Sequence, residues 1–95
     1  MNAMDDSVRS DAHKRLARMS GQLNGIQKMV EEERYCVDIL TQVAALRAAL
    51  DQFGLQMLSM HLESCVYGQG DEHCKNMTTE QRQEEIRVTL NRFLK

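Results

Sequence analysis

Residues 35–66, with the sequence YCVDILTQVAALRAALDQFGLQMLSMHLESCV, decide the fold. Two sets of residues recur in this stretch at every seventh position. The Cys36 line is Cys36, Val43, Leu50, Met57 and Ser64, and the Ile39 line is Ile39, Leu46, Phe53 and Met60. A heptad pattern sustained over about four repeats is typical of coiled coils and helix bundles. The stretch therefore predicts one long helix that packs against other helices.

This helix is too long for one small chain to cover. A helix of roughly 30 residues is about 45 Å long, whereas the chain has 95 residues. A chain of this size forms at most one domain with a small core. We therefore expect a single domain over residues 1–95, with residues 1–7 flexible, and an oligomer built on the long helix.

A second amphipathic segment precedes the long helix. Apolar residues recur every three or four positions from Val8 to Val30, which predicts a first helix that runs to about Glu32. Gly21 and Gly25 interrupt it, at a cost of about 1 kcal/mol each relative to alanine. Their spacing would also suit close packing of this helix against another.

The last third of the chain contains a polar connection and a third helix. Residues 67–76 are polar and contain glycine, which indicates a loop. Thr78 and Gln81 then have the spacing of a capping box, which opens a helix. The predicted fold class is all-α, with a protomer of three helices.

Composition narrows the class of protein. Apolar residues make up 42% of the chain and charged residues 27%, as in ordinary globular proteins. The apolar runs are far shorter than the roughly 20 residues of a membrane span. The first ten residues, MNAMDDSVRS, lack the pattern of a signal peptide. We therefore expect a cytoplasmic protein whose three cysteines are reduced thiols.

Charge is distributed unevenly along the chain, although the net charge is only −2. Between residues 9 and 28 the single acid is Asp11, and the cations are Arg9, Lys14, Arg15, Arg18 and Lys28. The acidic residues cluster later, at 31–33, 71–72 and 80–85. The average charge therefore does not exclude a basic face on the first helix.

Three candidate metal ligands fall on one face of the long helix. His61 and Cys65 are four residues apart, and hence one turn apart on the same face. At about 100° per residue, Cys36 points within roughly 20° of both. Cys36 and His61 are about 37 Å apart along a continuous helix, so they meet only if a second copy runs antiparallel. A two-fold dimer would then contain two equal sites between its subunits.

This set of ligands predicts the metal. Two thiolates and one imidazole are soft and few, which suits three-coordinate Cu(I). Structural zinc takes four protein ligands. His73 and Cys74 are further candidates in the connection, although an exposed imidazole and an incidental thiol are the simpler interpretation. A fourth ligand from this pair would favour a zinc centre instead.

Three motifs resemble the copper-sensing operon repressor (CsoR/RcnR/FrmR) family. They are GQLNGI at 21–26, shortly after Arg15-Leu16, ERYCVDILTQ at 33–42 and HLESC at 61–65. The resemblance covers residues 8–66 well and the remainder loosely. It implies an antiparallel dimer that forms a four-helix bundle, and a dimer of dimers. Proteins of this family bind operator DNA when free of their effector and release it on effector binding.

The resemblance points to the copper-sensor branch. Cys36, His61 and Cys65 match the three Cu(I) ligands of that branch. The nickel/cobalt branch has histidine in place of Cys65, and the formaldehyde branch has proline where this chain has Asn2. The persulfide-sensing branch has no ligand histidine, so His61 argues against it.

The resemblance also implies residues that support the ligands. Tyr35 matches the tyrosine that precedes the first ligand cysteine. A glutamate from the third helix contacts the ligand histidine in this family, and Glu85 fits this position best, with Glu84 as the alternative. Such contacts orient a ligand ring through its second nitrogen.

DNA contacts are implied for the basic side of the first helix and for one residue of the second. They are Arg9, Lys14, Arg15, Arg18 and Arg47. The family often places a basic residue where this chain has Gln52. Without the resemblance, an ordinary solvated charged face would be the simpler interpretation of these residues.

The sequence thus predicts a Cu(I)-sensing transcriptional repressor with operator DNA and further copies of itself as partners. Two alternatives stay open: a thiol, aldehyde or Zn(II) sensor on the same scaffold, and a copper-storage protein without a role at DNA. An enzyme is not expected, because the chain contains no phosphate-binding loop and no nucleophile–base pair with an evident oxyanion hole.

Overall fold

The computed structural model describes residues 5–63 and 76–94. These residues form three helices in chain order: α1 is Asp6–Glu31, α2 is Cys36–His61 and α3 is Thr79–Phe93. The described residues contain no strand, which confirms the predicted all-α class and the three helices. They fall into two compact units. One is Asp5–Leu55, and the other contains the last residues of α2, from Gln56 onward, together with the whole of α3. No helix in these ranges is both long and apolar enough to cross a membrane.

Asp5 sets the start of α1. Its carboxylate accepts a hydrogen bond from the backbone N–H of Val8 at 2.8 Å and another from the Ser7 hydroxyl at 2.8 Å. The first of these bonds is the main reason why the pKa of Asp5 is lowered. An aspartate at this position satisfies an N–H group that has no partner within the helix. The helix therefore begins inside the segment 1–7 that the sequence suggests is flexible.

A short turn joins α1 to α2 and places Cys36 at a helix start. The N–H of Glu32 donates to the carbonyl of Lys28 at 2.9 Å, which closes α1. Glu33 then has a φ of 53°, in the left-handed region that side chains other than glycine rarely adopt. The carbonyl of Tyr35 accepts from two N–H groups of the next turn, so that Cys36 is the first residue of α2.

The apolar stripe of α1 divides into two lines in the structure. Ala12 and Met19 are the core of this helix, at 7% and 6% exposed. Val8 and Ile26, on the same side, are half-buried. A second line at heptad spacing, Leu16, Leu23 and Val30, is 42%, 52% and 58% exposed. One protomer thus uses only half of the apolar surface that the sequence pattern predicts.

The two heptad lines of α2 divide in the same way. Every residue of the Ile39 line is half-buried, namely Ile39, Leu46, Phe53 and Met60. Cys36, Val43 and Leu50 of the Cys36 line are exposed. The described part of α2 contains no fully buried residue. The Ile39 line is therefore the side that the protomer covers, and the exposed part of the Cys36 line is left for another partner.

The predicted capping box opens α3. The N–H of Gln81 donates to the Thr78 hydroxyl at 3.1 Å, and the N–H of Thr78 donates to the Gln81 side-chain oxygen at 2.9 Å. The prediction from the sequence is therefore confirmed.

Removing this cap should destabilise the protein. We expect Thr78→Ala to lower the free energy of unfolding by about 1 kcal/mol, because an N–H group at the helix start loses its acceptor. Thr78→Ser keeps a hydroxyl and should retain most of the stability. Urea unfolding followed by circular dichroism, at one fixed protein concentration, measures both. Equal midpoints for Thr78→Ala and the unsubstituted chain would show that the capping box contributes nothing.

Candidate metal centre and basic surface

Cys36 presents a free thiol at the start of α2. Its side chain is exposed and forms no disulfide. It begins α2 directly after Tyr35, which is also exposed. The positive end of the helix dipole lies at this terminus and favours an anionic ligand there. The structure therefore leaves the Cys36 thiol accessible to a metal ion or to another chain.

His61 lies at the other end of α2 and contacts α3. Its Nε2 atom is 3.3 Å from Oε1 of Glu85, and both side chains are partly shielded from solvent. Because Nε2 faces the carboxylate, the Nδ1 atom is the ring nitrogen that is left for a metal ion. This contact links a candidate ligand to a second helix within one compact unit.

The neighbouring glutamate has a different partner. Glu84 accepts hydrogen bonds from Arg87 at 2.6 and 3.0 Å, within α3. These bonds lower the pKa of Glu84 and raise the pKa of Arg87. Of the two candidate carboxylates, the one beside His61 is thus Glu85. The resemblance favours Glu85 over Glu84 for this contact, whereas helical periodicity alone does not distinguish two adjacent residues of one helix.

The described residues do not assemble a complete metal site. Among residues 5–63 and 76–94, no three His, Cys, Asp or Glu side chains come together. Cys36 and His61 are the first and last residues of a helix of 26 residues, which is about 39 Å long. Cys65, His73 and Cys74 lie outside the described residues. A site that uses both Cys36 and His61 therefore needs more than one chain.

The predicted basic residues of α1 divide into paired and unpaired groups. Arg9 contacts Asp6 at 2.9 Å, and Arg15 contacts Asp11 at 3.0 Å. Lys14 and Arg18 are exposed and have no ion pair within the described part of the chain.

Arg47 is exposed on α2. The pairing of Arg9 and Arg15 could have been found in the sequence, since acid and base stand three and four residues apart on one helix.

A groove borders α3 beside His61. It has a volume of about 560 Å³ and is lined by apolar and polar side chains. Leu62 contributes from the chain just after His61, and Ile86 and Leu90 contribute from α3. The contact between His61 and Glu85 lies next to this groove in sequence, because His61 precedes Leu62 and Glu85 precedes Ile86.

Similar proteins support an assignment to a family. A family model described as metal-sensitive transcriptional repressor matches residues 8–92. The copper-sensing transcriptional repressor RicR of Mycobacterium tuberculosis is 49% identical over 53 residues, which are 56% of this chain and 55% of RicR. The copper-sensing transcriptional repressor CsoR of Bacillus subtilis is 42% identical over 66 residues, 70% of this chain and 65% of that protein. The chain thus spans between half and two thirds of the length of these relatives.

Solved structures agree with these matches. The copper-sensing repressor CsoR with Cu(I) from Geobacillus thermodenitrificans superposes with a TM-score of 0.85 at 38% identity, over 100% of this chain and 95% of that one. The nickel-responsive transcriptional regulator InrS gives a TM-score of 0.72 at 33% identity, over 88% of this chain and 90% of that one. Because the family model covers nearly the whole sequence, the chain belongs to the family of metal-sensitive transcriptional repressors.

Proposed function

We propose that this protein is a Cu(I)-responsive repressor, which binds operator DNA without metal and releases it when Cu(I) is bound. The observation that carries the proposal is the contact between His61 and Glu85, which joins a candidate ligand to α3. Its relatives include proteins named as copper-sensing repressors. A repressor acts where its operator lies, so we place the protein in the cytoplasm.

The metal site is shared between two chains in this proposal. An antiparallel partner along α2 sets Cys36 of one chain against His61 and Cys65 of the other, twice per dimer. The exposed apolar residues of the Cys36 line support this arrangement, because Val43 and Leu50 gain a covering surface. Pairs of such dimers would complete a tetramer.

The donors fit Cu(I). Cys36 is an accessible thiol, His61 has Nδ1 directed away from its carboxylate partner, and the sequence supplies Cys65 one turn later. When bound, Cu(I) supplies a soft cation that draws two thiolates and an imidazole together. Cys36 and Cys65 act as thiolate donors, so apparent affinity should increase with pH as their protons are released.

Residues around the ligands transmit the change in this proposal. Glu85 holds the His61 ring through Nε2, so a shift of the ring is passed to α3. Tyr35 directly precedes Cys36, so it is the other residue whose position would change when Cys36 binds the metal. The metal-bound protomers then present a surface that no longer fits DNA.

DNA binding rests on phosphate neutralisation by the basic side of α1 in this proposal. Lys14 and Arg18 carry unpaired charge, whereas Arg9 and Arg15 would first have to leave Asp6 and Asp11. Surface ion pairs of this kind are worth little, so the exchange costs little. Arg47 of α2 is the remaining predicted contact.

A binding assay with and without metal tests the function. We expect the metal-free protein to bind a duplex taken from the DNA upstream of its own gene, and a stoichiometric amount of Cu(I) to weaken binding by about 5- to 150-fold, the usual range of coupling. Fluorescence anisotropy under anaerobic conditions measures both affinities, with Zn(II) as the control metal. Equal affinities with and without Cu(I) would contradict the proposal.

X-ray absorption of the loaded protein separates the alternatives. We expect three-coordinate Cu(I) with two sulfur ligands and one nitrogen ligand. A tetrahedral Zn(II) centre with a fourth ligand from His73 or Cys74 would instead favour a zinc sensor.

A further inference from the structure

One face of α1 combines cations and glycines at helical spacing. Lys14, Arg18, Gly21, Gly25 and Lys28 follow one another at intervals of four, three, four and three residues. Such intervals place all five on one side of the helix. We propose that this glycine–cation row is the track on which a DNA phosphate backbone lies, with the two glycines at the point of closest approach. The inference rests on the proposed function and specifies which surface contacts DNA.

The charges of the row are available to an external anion. Lys14, Arg18 and Lys28 are exposed, and none forms an ion pair within residues 5–63 and 76–94. Arg9 and Arg15 lie outside the row, and both are paired with acids of their own helix. From Lys14 to Lys28 the row is about 21 Å long. This length corresponds to about six base pairs of duplex at 3.4 Å each.

The glycines are not explained by packing within the protomer. A Cβ atom added to Gly21 or to Gly25 would meet no atom within 4 Å. Neither residue has the positive φ that would require glycine, because both lie within the regular part of α1. Glycine in an exposed helix interior is unfavourable relative to alanine. What a missing side chain does allow is close approach of another molecule to the helix backbone.

The chemistry of the row favours DNA over a second copy of the chain. The row contains no apolar residue, whereas contacts between copies are apolar at their centre. The exposed apolar residues of α1 lie elsewhere, with Leu23 nine residues from Lys14 and hence about 180° around the helix. Glu32, four residues after Lys28 on the same face, is acidic, so the positively charged part of this face extends no further than Lys28. A polyanion that runs along α1 from Lys14 to Lys28 fits this distribution.

Replacing both glycines by alanine tests the inference. We expect the Gly21→Ala/Gly25→Ala double variant to raise the Tm by about 8–16 °C, because alanine favours the helix by about 1 kcal/mol at each position. The same variant should bind the upstream duplex at least 10-fold more weakly, because two methyl groups hold the phosphates away. Ser20→Ala is the matched control, since Ser20 is exposed on another side of α1. It should leave DNA affinity unchanged.

A charge variant provides an independent measurement. We expect Lys28→Gln to weaken DNA binding at low salt and to reduce the slope of log affinity against log salt concentration by about one for each Lys28 that contacts a phosphate. Arg92→Gln is the control, because Arg92 is an exposed cation of α3, far along the sequence from the row.

The outcomes separate this inference from the function on which it rests. If the unsubstituted protein binds DNA and responds to Cu(I), but the glycine variant and Lys28→Gln bind as it does, the track is wrong and the function stands. A changed oligomeric state of the glycine variant in sedimentation would assign the row to a second copy and overturn the inference. Failure of the unsubstituted protein to bind the duplex overturns both.

Discussion

Mixing Cys36→Ser chains with His61→Ala chains should restore Cu(I) binding that neither variant shows alone. In the proposed antiparallel dimer, each site takes Cys36 from one chain and His61 with Cys65 from the other. Both sites of either homodimer lack a ligand, whereas the mixed dimer has one complete site. Random 1:1 pairing makes half of the dimers mixed, so about a quarter of all sites should be restored.

Competition with a Cu(I) chelator after joint unfolding and refolding measures the restored fraction. Each variant alone should bind Cu(I) more than about 100-fold more weakly, because losing even an outer contact costs 10- to 100-fold. The control mixes Cys36→Ser with a Cys36→Ser/His61→Ala chain, in which no copy supplies the thiol, and should restore nothing. Mixed dimers that form without regaining any site would show that ligands are not shared between chains.

Local sequence patterns were sufficient to predict the helices. The heptad pattern over 35–66 predicts α2, which the structure places at Cys36–His61. The stripe from Val8 predicts α1 to within one residue at its end. Periodicity and capping are properties of residues three to seven positions apart, so they need no knowledge of the rest of the molecule.

The use of each apolar line could not be predicted from the sequence. The stripe of α1 treats Met19 and Leu23 as equivalent, yet the first is buried and the second is half exposed. Likewise, Ile39 and Val43 belong to two lines of equal regularity in α2. Which line one protomer buries depends on how its own helices pack, and that is set by contacts between residues distant in sequence.

The candidate site likewise depends on contacts between residues distant in sequence, which the sequence does not reveal. Cys36 and His61 stand out because few residue types bind soft metals. The choice between Glu84 and Glu85 depends on which carboxylate α3 turns toward His61, and the structure answers it through the contact of Glu84 with Arg87.

Replacing Glu85 should separate metal binding from DNA release. We expect Glu85→Ala to retain Cu(I) binding, weakened by about 10- to 100-fold, because all three donors remain and only the support of the His61 ring is lost. The factor by which Cu(I) weakens DNA binding should fall from 5- to 150-fold toward one, since His61 loses its contact with the Glu85 carboxylate of α3. Glu85→Gln keeps an oxygen that accepts a hydrogen bond and should show an intermediate factor.

Glu84→Ala is the matched control, because Glu84 is the adjacent carboxylate and contacts Arg87 instead of His61. Its exposed ion pair contributes little to stability, and its coupling factor should equal that of the unsubstituted protein. Coupling is reciprocal, so DNA must weaken Cu(I) binding by the same factor in each variant, which gives a second determination of every value. If Glu84→Ala lost coupling while Glu85→Ala kept it, the contact between His61 and Glu85 would not be the connection between the metal and α3. The effect of Cu(I) on DNA binding would then have to pass through Glu84 and its contact with Arg87.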